Sequence, residues 1–176
     1  ILFEQPVWSL ARGDVFKNKW IGKILASLKM FPVYRFSEGS ENLNTNYDTF
    51  DKCKQVFRQK GIVLIFSEGK CINEWRLRPL KKGTARLAAS SWEEGIPLTV
   101  LPVGNNYSSF RRFGKNVFIN FGEIIIKEDI SDDSTDGVRN LEFNTRLQSQ
   151  LQSLVFEINK NDRRKKQELL EKKPSV

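Results

Sequence analysis

The chain has 176 residues, 39% of them apolar and 28% charged, with a formal net charge of +8. That length suits one compact domain, and that balance describes a globular rather than a disordered chain. Cys53 and Cys71 are the only cysteines and histidine is absent, which excludes a disulfide scaffold and a structural zinc site and fits a reducing, cytosolic compartment.

No run of about 18 apolar residues and no charged-then-apolar leader is present, so the chain itself is expected to be water-soluble. Residues 7 to 12 read as a short strand, and Asp14 stands where the N-cap of a following helix belongs. In that helix Trp20, Ile21, Ile24, Leu25 and Leu28 recur at helical spacing, while Lys17, Lys19, Lys23 and Lys29 take other positions. Packing against a sheet explains this stripe most simply; a basic amphipathic helix lying on a bilayer is the alternative. Pro32 ends the helix, because the residue before proline is pushed toward extended geometry, and Pro32 to Arg35 form a strand.

Ser37 to Asn46 is polar and reads as a surface loop, followed by a helix from about Asp48 to Lys60 that Gly61 ends. Ile62 to Phe66 is a continuous apolar run, the pattern of a strand buried on both faces. Pro79 and Gly83 bracket the start of a helix with Ala85, Ala88 and Trp92 on its buried side, and Gly95 closes it. Pro97 to Val103 and Asn116 to Phe121 read as strands, the second nearer an edge. The last helix is expected from Val138 to Asn159, with Phe143, Leu147, Leu151, Leu154 and Ile158 as its stripe. Helices alternating with strands make the class α/β, a single-domain mixed sheet flanked by helices. The expected parts are a core at 1–137, an amphipathic helix at 138–159 and a tail at 160–176. Residues 159 to 176 hold seven basic groups against three acids, half of the net charge. Such a tail favours an anionic surface or is a solvated, fraying helix end. The aromatic residues fall mainly at core-periodic positions, which argues against a nucleic-acid-binding face.

Three segments carry chemistry. In Phe66-Ser67-Glu68-Gly69-Lys70, a strand ends in a glycine that lets the backbone turn sharply, Lys70 suits an anion, and Glu68 suits a hydroxyl or a cation. In Phe31-Pro32-Val33-Tyr34-Arg35, a strand delivers a guanidinium whose planar fork matches two phosphate oxygens. In Val100-Leu101-Pro102-Val103-Gly104, a proline inside an apolar strand removes a ladder donor, so an edge or a break in pairing is required.

In this order these segments resemble the PlsC-type glycerolipid acyltransferase family over roughly Val7 to Glu123. Arg12-Gly13-Asp14-Val15-Phe16 is similar to the basic residue and acidic-apolar pair after the family's first block, and Phe31 to Arg35 is similar to its second. Phe66 to Gly69 is similar to its Phe-Pro-Glu-Gly-Thr-Arg block. Leu80 to Ala85 and Val100 to Val103 are similar to the segments that follow.

The resemblance implies a glycerol-3-phosphate acyltransferase-like fold and transfer of a fatty acyl group, from acyl-CoA or acyl-carrier protein, to the hydroxyl of lysophosphatidic acid or glycerol 3-phosphate. The thioester is a cosubstrate; no cofactor, metal or nucleic acid is implied. The acyl-carrier protein and a membrane surface are the partners implied, with a location on the cytoplasmic side of the membrane, peripheral or anchored by upstream residues. Arg35 would be the main phosphate ligand and Arg12 a second, and Glu68 and Gly69 would shape the acceptor site. Lys70-Cys71 replaces the family's Thr-Arg, so Lys70, Arg76 or Arg78 would take the place of that arginine. The family's catalytic histidine and the aspartate five positions after it are expected upstream of Ile1, and the chain as it stands is expected to be inactive. The alternative is a histidine-free relative that binds phospholipid or acyl carrier without turnover.

Overall fold

The computed structural model describes residues 5–34, 43–70, 72–110, 113–131, 135–158 and 162. It is α/β and divides into two compact units, one of residues 1–66 and 90–98, the other of 67–89 and 99–176.

The first unit is built on a parallel sheet of β1 (Val7–Arg12), β2 (Met30–Val33) and β3 (Ile62–Leu64), in the order β2-β1-β3. β1 is central: Ser9 stands opposite both Met30 and Leu64, and Arg12 opposite Val33. Trp8 and Phe31 stack across the β1–β2 pair, ring centroids 4.6 Å apart. The chain passes from β1 to one side and then returns to the other, which makes the space beyond the C-terminal ends of β1 and β3 a topological switch point.

Several boundaries differ from the sequence expectation for local reasons. A 3₁₀ turn, Gly13–Lys17, follows β1, and α1 (Lys19–Ser27) is capped not by Asp14 but by Asn18, whose side chain accepts the N–H groups of Trp20 and Ile21 at 3.0 and 3.3 Å. Asp14 instead pairs with Arg12. Lys29, at φ 58°, turns the chain from α1 into β2, so the helix ends before proline acts, and Pro32 sits inside the strand. The core-packing expectation for α1 fails: no residue of the helix is buried.

The helix α2 (Leu43–Arg58) begins within the segment expected to be loop. Its Asn46 receives the Tyr34 N–H and donates to the Tyr34 carbonyl, both at 2.8 Å, and Thr49 donates to the Pro32 carbonyl at 2.7 Å. Those bonds to the end of β2 are what recruit polar residues into a helix. The left-handed residue that ends α2 is Lys60, at φ 58°, rather than Gly61. Gly61 is needed for space, because a Cβ there would lie 2.6 Å from Val56 Cγ1. β3 is not buried on both faces: its residues are half-buried to exposed and Phe66 beyond it is 62% exposed, since β1 rather than β3 takes the central place. Cys53, Val56, Trp92 and Ile96 form the buried apolar centre of this unit.

Helix α3 (Lys82–Glu93) starts as expected after Pro79, with Ala85, Leu87 and Ala88 buried. In the second unit the strand expected at 97–103 is displaced. Val100 makes a single bridge to Ile125, Leu101 and Pro102 break the ladder, and β4 (Val103–Tyr107) then pairs antiparallel with β5 (Val117–Phe121). The break at a buried Pro102 is the interruption that its missing N–H requires. Phe118 and Asn120 turn inward from β5 while Val117, Ile119 and Phe121 are exposed. Helix α4 (Asp136–Leu154) buries Phe143 and Leu147. It stops short of Asn159 because the amides of Asn106 and Asn120 both donate to the Leu154 carbonyl at 2.8 Å, and Asn106 also accepts the Phe156 N–H. Ile158 is buried outside the helix, its N–H on the Trp75 carbonyl at 2.9 Å.

In the first unit Lys54 reaches Glu94 Oε1 at 2.5 Å and Asp51 at 3.4 Å, and Arg58 reaches Glu94 Oε2 at 2.5 Å. The hydrogen bond from Lys54, with the charges of Lys54 and Arg58, holds the Glu94 carboxyl below its ordinary value of 4.5. A depressed carboxylate stabilises the fold above its unfolded pKa, and that contribution is lost as pH falls through the folded pKa. Glu94→Gln is therefore expected to lower Tm at neutral pH, with the gap to wild type closing on acidification below the ordinary carboxylate range. A gap that stays constant in thermal melts across this range would rule the linkage out.

Candidate functional site

Arg12 ends β1 at the switch point of the first unit. Its guanidinium is already engaged: Nε donates to Asp14 Oδ1 at 3.1 Å and a second nitrogen contacts Oδ2, with both side chains substantially exposed. A phosphate at Arg12 would share that charge with Asp14. Beside it the exit of β2 is tied to α2. Asn46 and Thr49 fasten Pro32 and Tyr34, and the Tyr34 ring covers Gly13, where an added Cβ would lie 2.3 Å from the ring. Sequence reading missed Asn46, Thr49 and Tyr34 as supports because their polar side chains act on backbone groups far away in the chain. Arg35 lies outside the described residues, as do Cys71 and the tail apart from Asp162.

The Glu-Gly turn belongs to the second unit. Gly69 adopts φ 65°, a left-handed conformation that favours glycine, and a Cβ there would lie 3.1 Å from Lys81 Cγ. The turn is tied to the entry of α3 by the Lys81 N–H on the Ser67 carbonyl at 2.8 Å and by a 2.9 Å hydroxyl pair between Ser67 and Thr84. Glu68 is half-buried, and its Oε2 accepts the Arg78 backbone N–H at 3.2 Å. Burial pushes the Glu68 carboxyl above its ordinary value, against the opposing pull of that N–H and of the Arg78 charge.

Among the three cations expected to replace the family's arginine, the structure brings Arg78 to Glu68. Arg76 is exposed and pairs with Glu74 at 3.5 Å, and Lys70 is exposed. The segment carrying these arginines is anchored by Trp75. Its indole N–H donates to the Tyr107 carbonyl at 2.8 Å and its ring packs on Phe110 at 4.6 Å. Trp75 was not singled out in the sequence, where one tryptophan in an irregular stretch carries no periodic signal. A separate open groove of about 1150 Å³, between the exit of β5 and α4, is lined by Phe121, Val138, Leu141 and Leu154 among others, and none of the expected site residues borders it.

Cys53 is buried and burial pushes its thiol up to about 12, which makes it an inert core residue. Among the described residues no cluster of three or more histidine, cysteine, aspartate or glutamate side chains could hold a metal ion. None of the described helices is long and apolar enough to cross a membrane.

Comparison with known proteins places these features in a family. The Acyltransferase family model matches residues 1–105. The chain is 23% identical over 115 residues to the chloroplastic 1-acyl-sn-glycerol-3-phosphate acyltransferase of Brassica napus, covering 65% of this chain and 31% of that protein. It is 32% identical over 79 residues to the 1-acyl-sn-glycerol-3-phosphate acyltransferase of Bacillus subtilis (strain 168), covering 45% of this chain and 35% of that protein. The matched segments thus span about a third of the length of these curated relatives. No solved structure matches.

Gly69→Ala is expected to cost about 1–2 kcal/mol, the penalty of a left-handed β-carbon. Gly13→Ala, which must displace an aromatic ring, should cost about 1–3 kcal/mol, and a Tyr34→Ala background should relieve part of that cost. Denaturant melts of the single and double variants measure both, and an additive Gly13→Ala/Tyr34→Ala pair would remove the ring from the explanation.

Proposed function

This chain belongs to the PlsC-type acyltransferase family, and from that premise we propose that it forms the acceptor-phosphate half of an acylglycerol-phosphate acyltransferase. The reaction is transfer of a fatty acyl group from a thioester, of coenzyme A or of acyl-carrier protein, to the hydroxyl of lysophosphatidic acid or glycerol 3-phosphate. The acceptor hydroxyl attacks the thioester carbonyl, its proton passes to a histidine base expected upstream of Ile1, and the thiolate leaves and is protonated. Positioning and base assistance together account for the chemistry such a transfer needs.

The residues of this chain hold and orient the acceptor. Arg12 ends β1 and Arg35 follows the C-terminal end of β2 in the chain; open α/β sheets bind ligands beyond such ends, and Arg12 would exchange Asp14 for phosphate oxygens. Arg78 takes the part of the family's missing arginine, and Glu68 positions it; Lys70 and Arg76 serve at most as outer charges. The observation that carries this reading is the Glu68–Gly69 turn itself. It holds a half-buried carboxylate on the Arg78 backbone N–H, within reach of the Arg78 charge, and a guanidinium in that position has the planar fork that suits an anion.

The test uses the full-length protein. Arg78→Ala leaves the backbone N–H that binds Glu68 in place, so its effect reports the side chain. Losing a charged hydrogen-bond partner of phosphate, worth about 1.5–3 kcal/mol, should raise KM for the phosphorylated acceptor by about ten- to a hundredfold at little change in Tm. Arg78→Lys should recover part of the loss, and Arg76→Ala should do little. Unchanged KM in Arg78→Ala would exclude Arg78 from the acceptor site.

A further inference from the structure

We propose that α1 is an interfacial docking helix that seats this unit on an anionic lipid bilayer through the face formed by Trp20, Ile21, Ile24 and Leu28. The helix has a sharply apolar side, yet that side is not the one it packs with. Only Gly22 and Leu25 are partly shielded, Gly22 lying against the 3₁₀ turn, where a Cβ would be 3.2 Å from the Phe16 carbonyl oxygen. Trp20, Ile24 and Leu28, spaced four apart and therefore stacked along one face, are 80%, 58% and 59% exposed, and Ile21 beside them is 45% exposed. Scattered exposed apolar residues are ordinary; three neighbouring ones on a nine-residue helix and a fourth at its C-cap, Leu28, are not.

The charges around the stripe select the occupant. From Val15 to Lys29 the segment carries Lys17, Lys19, Lys23 and Lys29 and no acidic residue. Lys23 stands 5.9 Å from the Trp20 ring centroid, so a cation borders the indole on the helix surface. A tryptophan beside lysines whose long stems can reach upward from an apolar face is the arrangement that suits the level of lipid headgroups. A helix of this length, about 14 Å long, lies in the interface and does not span it. A protein partner would have to match the same apolar strip with acidic groups placed at its rim; an anionic bilayer supplies both without a specific fit.

This inference is independent of the acyl-transfer reading. The test follows Trp20 emission, taken as wild type minus Trp20→Phe, in the full-length protein mixed with phosphatidylcholine vesicles with and without phosphatidylglycerol. Brominated acyl chains serve as quenchers. Anionic vesicles are expected to shift the emission to the blue and to allow quenching, and added salt should weaken the effect. Trp20→Glu/Ile24→Glu should lower vesicle partitioning about tenfold or more, with circular dichroism and Tm unchanged because both sites are exposed. Lys19→Gln/Lys23→Gln provides a second, milder variant that should reduce binding to the anionic vesicles alone. Removal of residues 160–176 should leave Trp20 quenching in place.

Absence of quenching would overturn the proposal. So would vesicle partitioning lost with the tail and kept in Trp20→Glu/Ile24→Glu, or a wild-type dimer that this variant converts to monomer without any vesicle binding in either. Acyl transfer between short-chain, water-soluble substrates should be equal in wild type and variant. Inactivity of both there, with quenching intact, would count against the enzymatic reading alone.

Discussion

Parallel pairing on both sides of β1 is the constraint from which the rest follows. With Ser9 opposite Met30 on one side and Leu64 on the other, three strands run the same way and their C-terminal ends meet one edge of the sheet. Parallel neighbours need long crossovers, which α1 and α2 supply, and each crossover returns the chain to the same starting edge. The C-terminal ends of β1 and β2, at Arg12 and Val33, are thereby placed side by side at that edge. The cost of irregular backbone at that edge is offset by specific polar bonds. Asn46 and Thr49 complete the carbonyl and amide groups that β2 leaves open at Pro32 and Tyr34.

The second unit uses the same means around a different backbone problem. A left-handed turn at Gly69 and the irregular run to Leu80 would leave many groups without partners. Lys81, Thr84, Tyr107 and Ile158 take them up through Ser67 and Trp75. The result is a half-buried glutamate whose charged form is disfavoured by desolvation and supported by one arginine. Several other arginines are committed to carboxylates: Arg12 to Asp14, Arg58 to Glu94, Arg76 to Glu74, Arg139 to Asp136 and Arg146 to Asp129. Net positive charge alone therefore says little about where an anion binds; commitment of individual cations says more.

The α/β class, the helices at the centres of α2, α3 and α4 and the three motif segments were legible because periodicity and punctuation report local structure directly. What escaped was decided by distant partners. Nothing near residue 154 announces the end of α4, since the amides that stop it belong to Asn106 and Asn120. The apolar run at 62–66 suggests a central strand, but centrality is a property of sheet order, and β1 holds that place. The stripe of α1 is periodic whether or not it faces a core, so only the observed exposure shows that it does not pack inside this unit. In the turn, Glu68 and Gly69 were visible as a motif, whereas the bond from the Arg78 N–H to Glu68 depends on the path of the chain between residues 68 and 78.

The central proposal is that the protein acts on a glycerol-based acceptor that carries a phosphate. The most direct measurement is the rate of acyl transfer by the full-length protein to a lysophosphatidic acid and to the monoacylglycerol that differs from it only by lacking the phosphate. The account predicts a preference of about a hundredfold or more in kcat/KM for the phosphorylated acceptor, the discrimination expected when charged groups lose their partner. Equal rates with the two acceptors would contradict it.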